Sequence, residues 1–176
     1  EESEEHEVRD ADGICVAGRP ERDQPGCSLF GRRAGTFEPA RGARRYRVVE
    51  RLKRDGHTLV EKRIVADDVY RIRAVVAQWI ADEDVQVIVT TGGTGFTGRD
   101  STPEAIEVLL DKHIEGFGEL FRHLSWQEIG SSTVQSRCLG GLANATVVFC
   151  LPGSTGACRT AWDGILHEQL DSRHKP

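Results

Sequence analysis

Val85 to Ala105 reads VQVIVTTGGTGFTGRDSTPEA, and this stretch decides the fold. Val85, Val87, Ile88 and Val89 are β-branched and almost uninterrupted by polar residues, the pattern of a strand covered on both faces. The run then breaks into Thr91-Gly92-Gly93-Thr94-Gly95, where glycines allow positive φ and let backbone amides approach a ligand. A helix start follows. Ser101 with Glu104 spells a capping box, and Thr102 before Pro103 spells an N-cap with proline at N1. The order strand, glycine loop, helix N-terminus suits an anion, although a tight turn without a ligand uses the same letters. Gly93 to Gly98 also matches G-x-G-x-x-G, but the helix begins after the third glycine. No Walker lysine follows the glycines, which excludes a P-loop.

The flanking chain repeats the strand–helix alternation. Tyr46 to Asp55 is expected to be the end of a helix with Gly56 as its C-cap, and Thr58 to Val65 a strand. Asp67 or Asp68 then caps a helix whose Val69, Ile72, Val76, Trp79 and Ile80 recur at helical spacing. Beyond the central unit, Ala105 to Leu110 predicts an amphipathic helix, Gly116-Phe117-Gly118 a break, and Glu119 to Trp126 a further helix. Gln135 to Asn144 reads as a loop with short structure. Thr146 to Leu151 is a second apolar strand, and Pro152-Gly153-Ser154 precedes the final helix, Ala157 to Leu170. This alternation predicts an α/β fold, a three-layer α/β/α sandwich around a mostly parallel sheet. Loops at the carboxyl ends of neighbouring parallel strands converge on one crevice.

Composition narrows the function. The 176 residues form one domain by length and carry a net charge of −5, which argues against a general nucleic-acid binder. No apolar run has the length of a membrane span, and the acidic opening Glu1 to Glu7 does not read as a signal peptide. The five cysteines lack C-x-x-C spacing and fit free thiols in a reducing cytoplasm. Residues 1–43 show neither helical nor strand period beyond the short run Ile14 to Ala17, and are expected to be a disordered segment. Residues 44–176 are expected to form the domain.

Asp100 is the carboxylate of the glycine loop. Beside bound phosphates it would repel them unless a cation lay between, and Mg²⁺ held by one or two carboxylates and phosphate oxygens does this. Capping the next helix is its alternative role. The histidines show no metal-ligand spacing.

TTGGTGFTGRDSTPEA resembles the signature of the molybdenum cofactor biosynthesis MoaB/Mog family, and further matches follow in order. They are Glu115-Gly116-Phe117-Gly118-Glu119, Gln135-Ser136-Arg137, Leu151-Pro152-Gly153-Ser154 and Cys158-Arg159-Thr160-Ala161-Trp162, so that the resemblance runs from about Val48 to the C-terminus. It implies molybdopterin as ligand and adenylyl transfer from Mg-ATP as the reaction. It places Glu115 to Glu119 near the pterin. It aligns Asp67 with an acidic position that the family uses, whose alternative is an N-cap. Ser136 and Arg137 suit a phosphate or pterin contact, since a guanidinium binds such groups bidentately. An exposed arginine is the plain alternative. The resemblance further implies a homotrimer, or a hexamer of two trimers, with Phe117, Phe121 and Trp126 available as interface or core. Two other functions stay open, a non-catalytic pterin-binding protein and an assembly subunit that only keeps the fold. One departure stands out. The family opens with a strand ending in a Ser-Asp or Ser-Asn loop, and nothing before Arg44 reads like it, so residues 1–43 are expected to be foreign to the fold.

Overall fold

The computed structural model of the chain describes residues 13–18, 34–36 and 47–173. Its elements are β1 (Gly13–Gly18), β2 (Ala34–Thr36), α1 (Arg47–Arg54), β3 (Thr58–Ile64), α2 (Val69–Ile80), β4 (Val87–Thr91) and α3 (Thr102–Glu107). There follow β5 (Lys112–His113), α4 (Glu115–Ile129), a 3₁₀ turn (Gly130–Gln135), β6 (Leu139–Ala143), β7 (Thr146–Leu151) and α5 (Thr155–Ala161). A wider π-turn (Trp162–Leu166) then runs into α6 (His167–Gln169).

One sheet of seven strands runs in the order β3-β1-β2-β4-β7-β6-β5. Its centre is the parallel pair β4–β7, in register from Val87 opposite Val147 to Thr91 opposite Leu151. Every residue of both strands is buried, as their unbroken apolar letters require. Helix α2 packs with α3, while α1 and α4 pack with α5, and both groups reach β7. A strand buried along its whole length needs cover on both faces, so these groups are the two outer layers of the sandwich.

The sheet is mixed rather than mostly parallel. Parallel pairing is confined to β2–β4–β7, while β6 joins β7 as an antiparallel hairpin. Its two-residue turn puts Asn144 at φ 47° and Ala145 at φ 65°, the mirror-image turn that matches strand twist. Alanine at the second turn position hides this hairpin in the sequence, which is why 139–143 did not read as a strand.

The acidic N-terminal region also differs from expectation where it is described. β1 pairs antiparallel with β3 and with β4, where Gly13 lies opposite Thr91 and Cys15 opposite Val89. β2 pairs parallel with β4 from Val87 to Val89, so β1 and β2 share one edge of that strand. The run Ile14 to Ala17 therefore belongs to the sheet. The rest of residues 1–43, for which disorder was expected, lies outside the described residues.

Local signals held elsewhere. Asp68, not Asp67, caps α2, its carboxylate accepting from the Arg71 amide at 2.8 Å. Gly56 ends α1 at φ 84°. The expected break at Gly116-Phe117-Gly118 is absent, because these residues form the first turn of α4. Here glycine serves packing. A Cβ on Gly118 would come within 3.2 Å of the Cys138 carbonyl, and one on Gly140 within 3.1 Å of the Phe117 ring. Phe117 and Phe121 are core, with Phe117 4.7 Å from the Phe149 ring, whereas Trp126 is 59% exposed.

Candidate functional site

The loops that end β4 and β7 lie side by side because their strands are parallel neighbours. The ladder continues one step into the first loop, where the Gly92 amide donates to the Leu151 carbonyl at 3.0 Å. The Thr91 hydroxyl lies 3.4 Å from the Pro152 carbonyl oxygen and 3.3 Å from the Cys158 sulfur. Cys158 in turn lies 3.5 Å from the same carbonyl, so threonine, proline and cysteine join the roots of both loops. The second loop closes on itself, with the Ser154 hydroxyl accepting from the Ala157 amide at 3.1 Å.

The first loop needs glycine. Gly92 and Gly93 sit at φ 100° and 61°, and a Cβ on Gly93 would fall 2.2 Å from Thr102 Oγ1 and 3.4 Å from Asp67 Oδ1. Asp67 thus lies against the glycine loop with a buried Oδ1, while its neighbour does the capping. The Thr102 amide donates to the Gly93 carbonyl at 3.0 Å, tying the start of α3 to the loop.

Asp100 does not cap α3. Its Oδ2 accepts from the Thr97 hydroxyl at 2.6 Å and the Thr97 amide at 2.9 Å, closing a turn within the loop. Those bonds, the hydroxyl foremost, hold the carboxyl below its ordinary range and keep it ionised at neutral pH. Arg137 is turned inward on the same loop. Its Nε donates to the Thr94 carbonyl at 3.0 Å, and its Nη2 to the carbonyls of Gly95 and of Asp100, the latter at 2.8 Å. Its Nη1 pairs with Glu104, and its guanidinium lies 5.4 Å from the exposed Phe96 ring. The capping box expected at Ser101–Glu104 is therefore not made, because Glu104 is drawn to Arg137. Arg137 acts as a strut, a role that its letter next to Ser136 does not announce.

Both loops open on a cleft of about 250 Å³. Of the residues singled out in the sequence, Thr94, Gly95, Ser136, Pro152 and Ser154 line it. The Ser136 hydroxyl is itself buried, beside the Cys138 thiol. Thr91, Gly92, Gly93 and Gly153 shape the loops behind the lining. Glu115 and Glu119 stand exposed on α4, Gly116 is exposed between them, and Phe117 and Gly118 are buried against β6 and β7, so this quintet does not line the cleft. What the sequence reading missed is the other end of α4, which contributes Ser125, Glu128 and Ile129, and the turn contributing Ser132; Phe121 and Gln135, quoted there in other roles, join them. No signal marked Glu128, since a carboxylate on an amphipathic helix reads as a solvated charge. Burial pushes the Cys150 thiol up to about 12 and also raises Cys138, which disfavours the thiolate at both.

Comparison with known proteins gives this geometry its relatives. A family described as "Probable molybdopterin binding domain" matches residues 41–172. The chain is 56% identical over 121 residues to molybdenum cofactor biosynthesis protein B of Escherichia coli (strain K12), covering 69% of this chain and 71% of that protein. It is 48% identical over 122 residues to the protein of the same name from Bacillus cereus, covering 69% and 72%. A crystal structure of a molybdenum cofactor biosynthesis protein B superposes with a TM-score of 0.70 at 43% identity, over 76% of this chain and 86% of that one. With three quarters of its length matched and the paired loops in place, the chain belongs to the family of molybdopterin-binding domains that contains the molybdenum cofactor biosynthesis proteins B.

Proposed function

We propose that the chain works in molybdenum cofactor biosynthesis, binding molybdopterin in this cleft and adenylylating it with Mg-ATP. One observation carries the reading. Two small-residue loops at the carboxyl ends of adjacent parallel strands are joined at Thr91, Pro152 and Cys158 and open on the same cleft. Backbone amides of the first loop and the Ser154 region hold phosphate groups. Arg137 keeps the first loop in shape from behind.

The donor set fits Mg²⁺. Asp100 is an ionised hard-oxygen ligand, and Asp67 lies against the same loop. One or two carboxylates suffice for an ion whose other ligands are phosphate oxygens. Asp100 and Asp67 would hold it, and when bound it neutralises phosphate charge. The chain's residues otherwise act by positioning: a terminal phosphate oxygen of the pterin is aligned with the α-phosphorus of ATP, to which it bonds as the bond to pyrophosphate breaks. A homotrimer or hexamer forms part of the same proposal, and light scattering that shows a monomer at micromolar concentration would remove it.

The test is pyrophosphate release from ATP and molybdopterin by the chain and by Asp100→Asn. Asparagine still accepts from Thr97, so pterin binding should persist while transfer falls roughly 100-fold. Wild-type turnover in the variant would remove this role from Asp100. A second reading, a binder without activity, is favoured by the commitment of Asp100 and Arg137 to the loop's own hydrogen bonds. Saturable pterin binding with no pyrophosphate from the parent chain would establish it.

A further inference from the structure

We infer that Glu128 reads the donor edge of a 2-amino-4-oxopyrimidine ring, the edge a pterin presents through its ring N3–H and 2-amino group. The inference rests on the reading of the cleft as a pterin site and gives that site its ring specificity. Among the described residues Glu128 is the one charged residue that lines the cleft, where it joins the hydroxyls of Ser125, Ser132 and Thr160 and the apolar groups of Phe121 and Ile129. No lysine, arginine or histidine lines it among the described residues. Glu128 is paired with Arg159, but no cation among the lining residues faces the cleft beside it, so the phosphate end of a ligand belongs at Thr94, Gly95 and Ser154, and its ring end at Glu128.

The carboxylate is oriented but not saturated. Its Oε1 accepts from the Thr160 hydroxyl at 2.8 Å, and its Oε2 accepts from the Arg159 guanidinium at 3.2 Å. A carboxylate has about four lone-pair sites, so two accepted bonds leave about two for a ligand. Two parallel N–H donors match two carboxylate oxygens, as in other bidentate pairs. Adenine lacks such a donor pair. A ring with oxygen in place of the 2-amino group would set a carbonyl against the carboxylate.

The test titrates the full chain with pterin and with lumazine, which differs by that one exchange of amine for oxygen, and with ATP as a control. The wild type should bind pterin at least about 10-fold more tightly than lumazine. Glu128→Gln keeps the shape and an acceptor for Thr160, and should weaken pterin by about 10- to 100-fold while leaving ATP unchanged. Its pterin-to-lumazine preference should vanish. Equal binding of pterin and lumazine by the wild type overturns the inference without any variant. An undiminished preference in Glu128→Gln, or equal weakening of both rings, overturns it as well. In each of those outcomes the cleft remains a pterin site. A wild type that binds neither ring saturably removes the pterin reading together with the inference.

Discussion

The loops after β4 and β7 begin alike and are held differently. Each follows a fully buried strand and precedes a helix. The Pro152–Ser154 loop is short, has no residue at positive φ, and caps its own helix through Ser154. The Thr91–Asp100 loop is longer, has two glycines at positive φ, and leads into a helix without a side-chain cap. Its order comes from outside: Arg137 bonds three of its carbonyls, and the Asp100 carboxylate closes its tip. A loop that leaves amides for a ligand has few left for itself, so the rest of the chain must hold it.

Removing the strut should separate the loops most. Arg137→Ala breaks the bonds to Thr94, Gly95 and Asp100 and releases Glu104. The adenylyl transfer proposed above should drop by roughly 100-fold, equal to about 3 kcal/mol, as the loop leaves its shape. Hydrogen exchange should rise across 93–100 and stay unchanged at 152–157. Equal acceleration in both loops would mean that Arg137 supports the domain at large. Gly93→Ala comes next. A left-handed alanine and its contact with Thr102 Oγ1 should cost about 2 kcal/mol in urea unfolding. Gly153→Ala, at ordinary backbone angles, should cost well under half of that.

The second loop's weak point lies behind it. Asp55, with a side chain 8% exposed, accepts from Trp162 Nε1 at 2.7 Å, His167 Nδ1 at 2.9 Å and Arg54, pinning the turn that continues α5. Burial alone would raise its pKa, but the bonds from Arg54, Trp162 and His167 together outweigh burial and hold it well below the carboxylate range. An unfolded aspartate titrates near about 4, so this stabilisation is complete above that pH and is lost as pH falls through the range below it. Asp55→Asn should therefore lower stability by about 1–2 kcal/mol at pH 7, a gap that narrows below about pH 4. A gap that does not change with pH would deny the charge its part. The smallest effect is expected from Ser154→Ala, about 1 kcal/mol for a lost cap, read as a small fall in melting temperature. A loss matching that of Gly93→Ala would erase the contrast between the loops.

Much of the fold was legible in the letters. The buried strands β4 and β7, the helix α2 with its cap, and both loops were visible because each is written locally, in apolar period, glycine and proline. Strand β6 was not, since its signal is a turn that alanine disguises, and neither was the partnership of β1 with β4, which joins residues far apart in the chain. Thr94, Gly95, Ser136, Pro152 and Ser154, singled out from motif, line the cleft, whereas Glu115 to Glu119, singled out in the same way, do not.

The sequence by itself determined where the chain bends and which strands must be buried, because backbone freedom and hydrophobicity belong to single residues. Tertiary structure decided what the charged groups do. Asp100 closes a turn, Glu104 leaves a cap for Arg137, Arg137 faces the glycine loop, and Glu128 lines the cleft. Each outcome depends on which partner comes within hydrogen-bond reach, and for all but Asp100 that partner comes from another element brought alongside by the packing of the sheet and its helices.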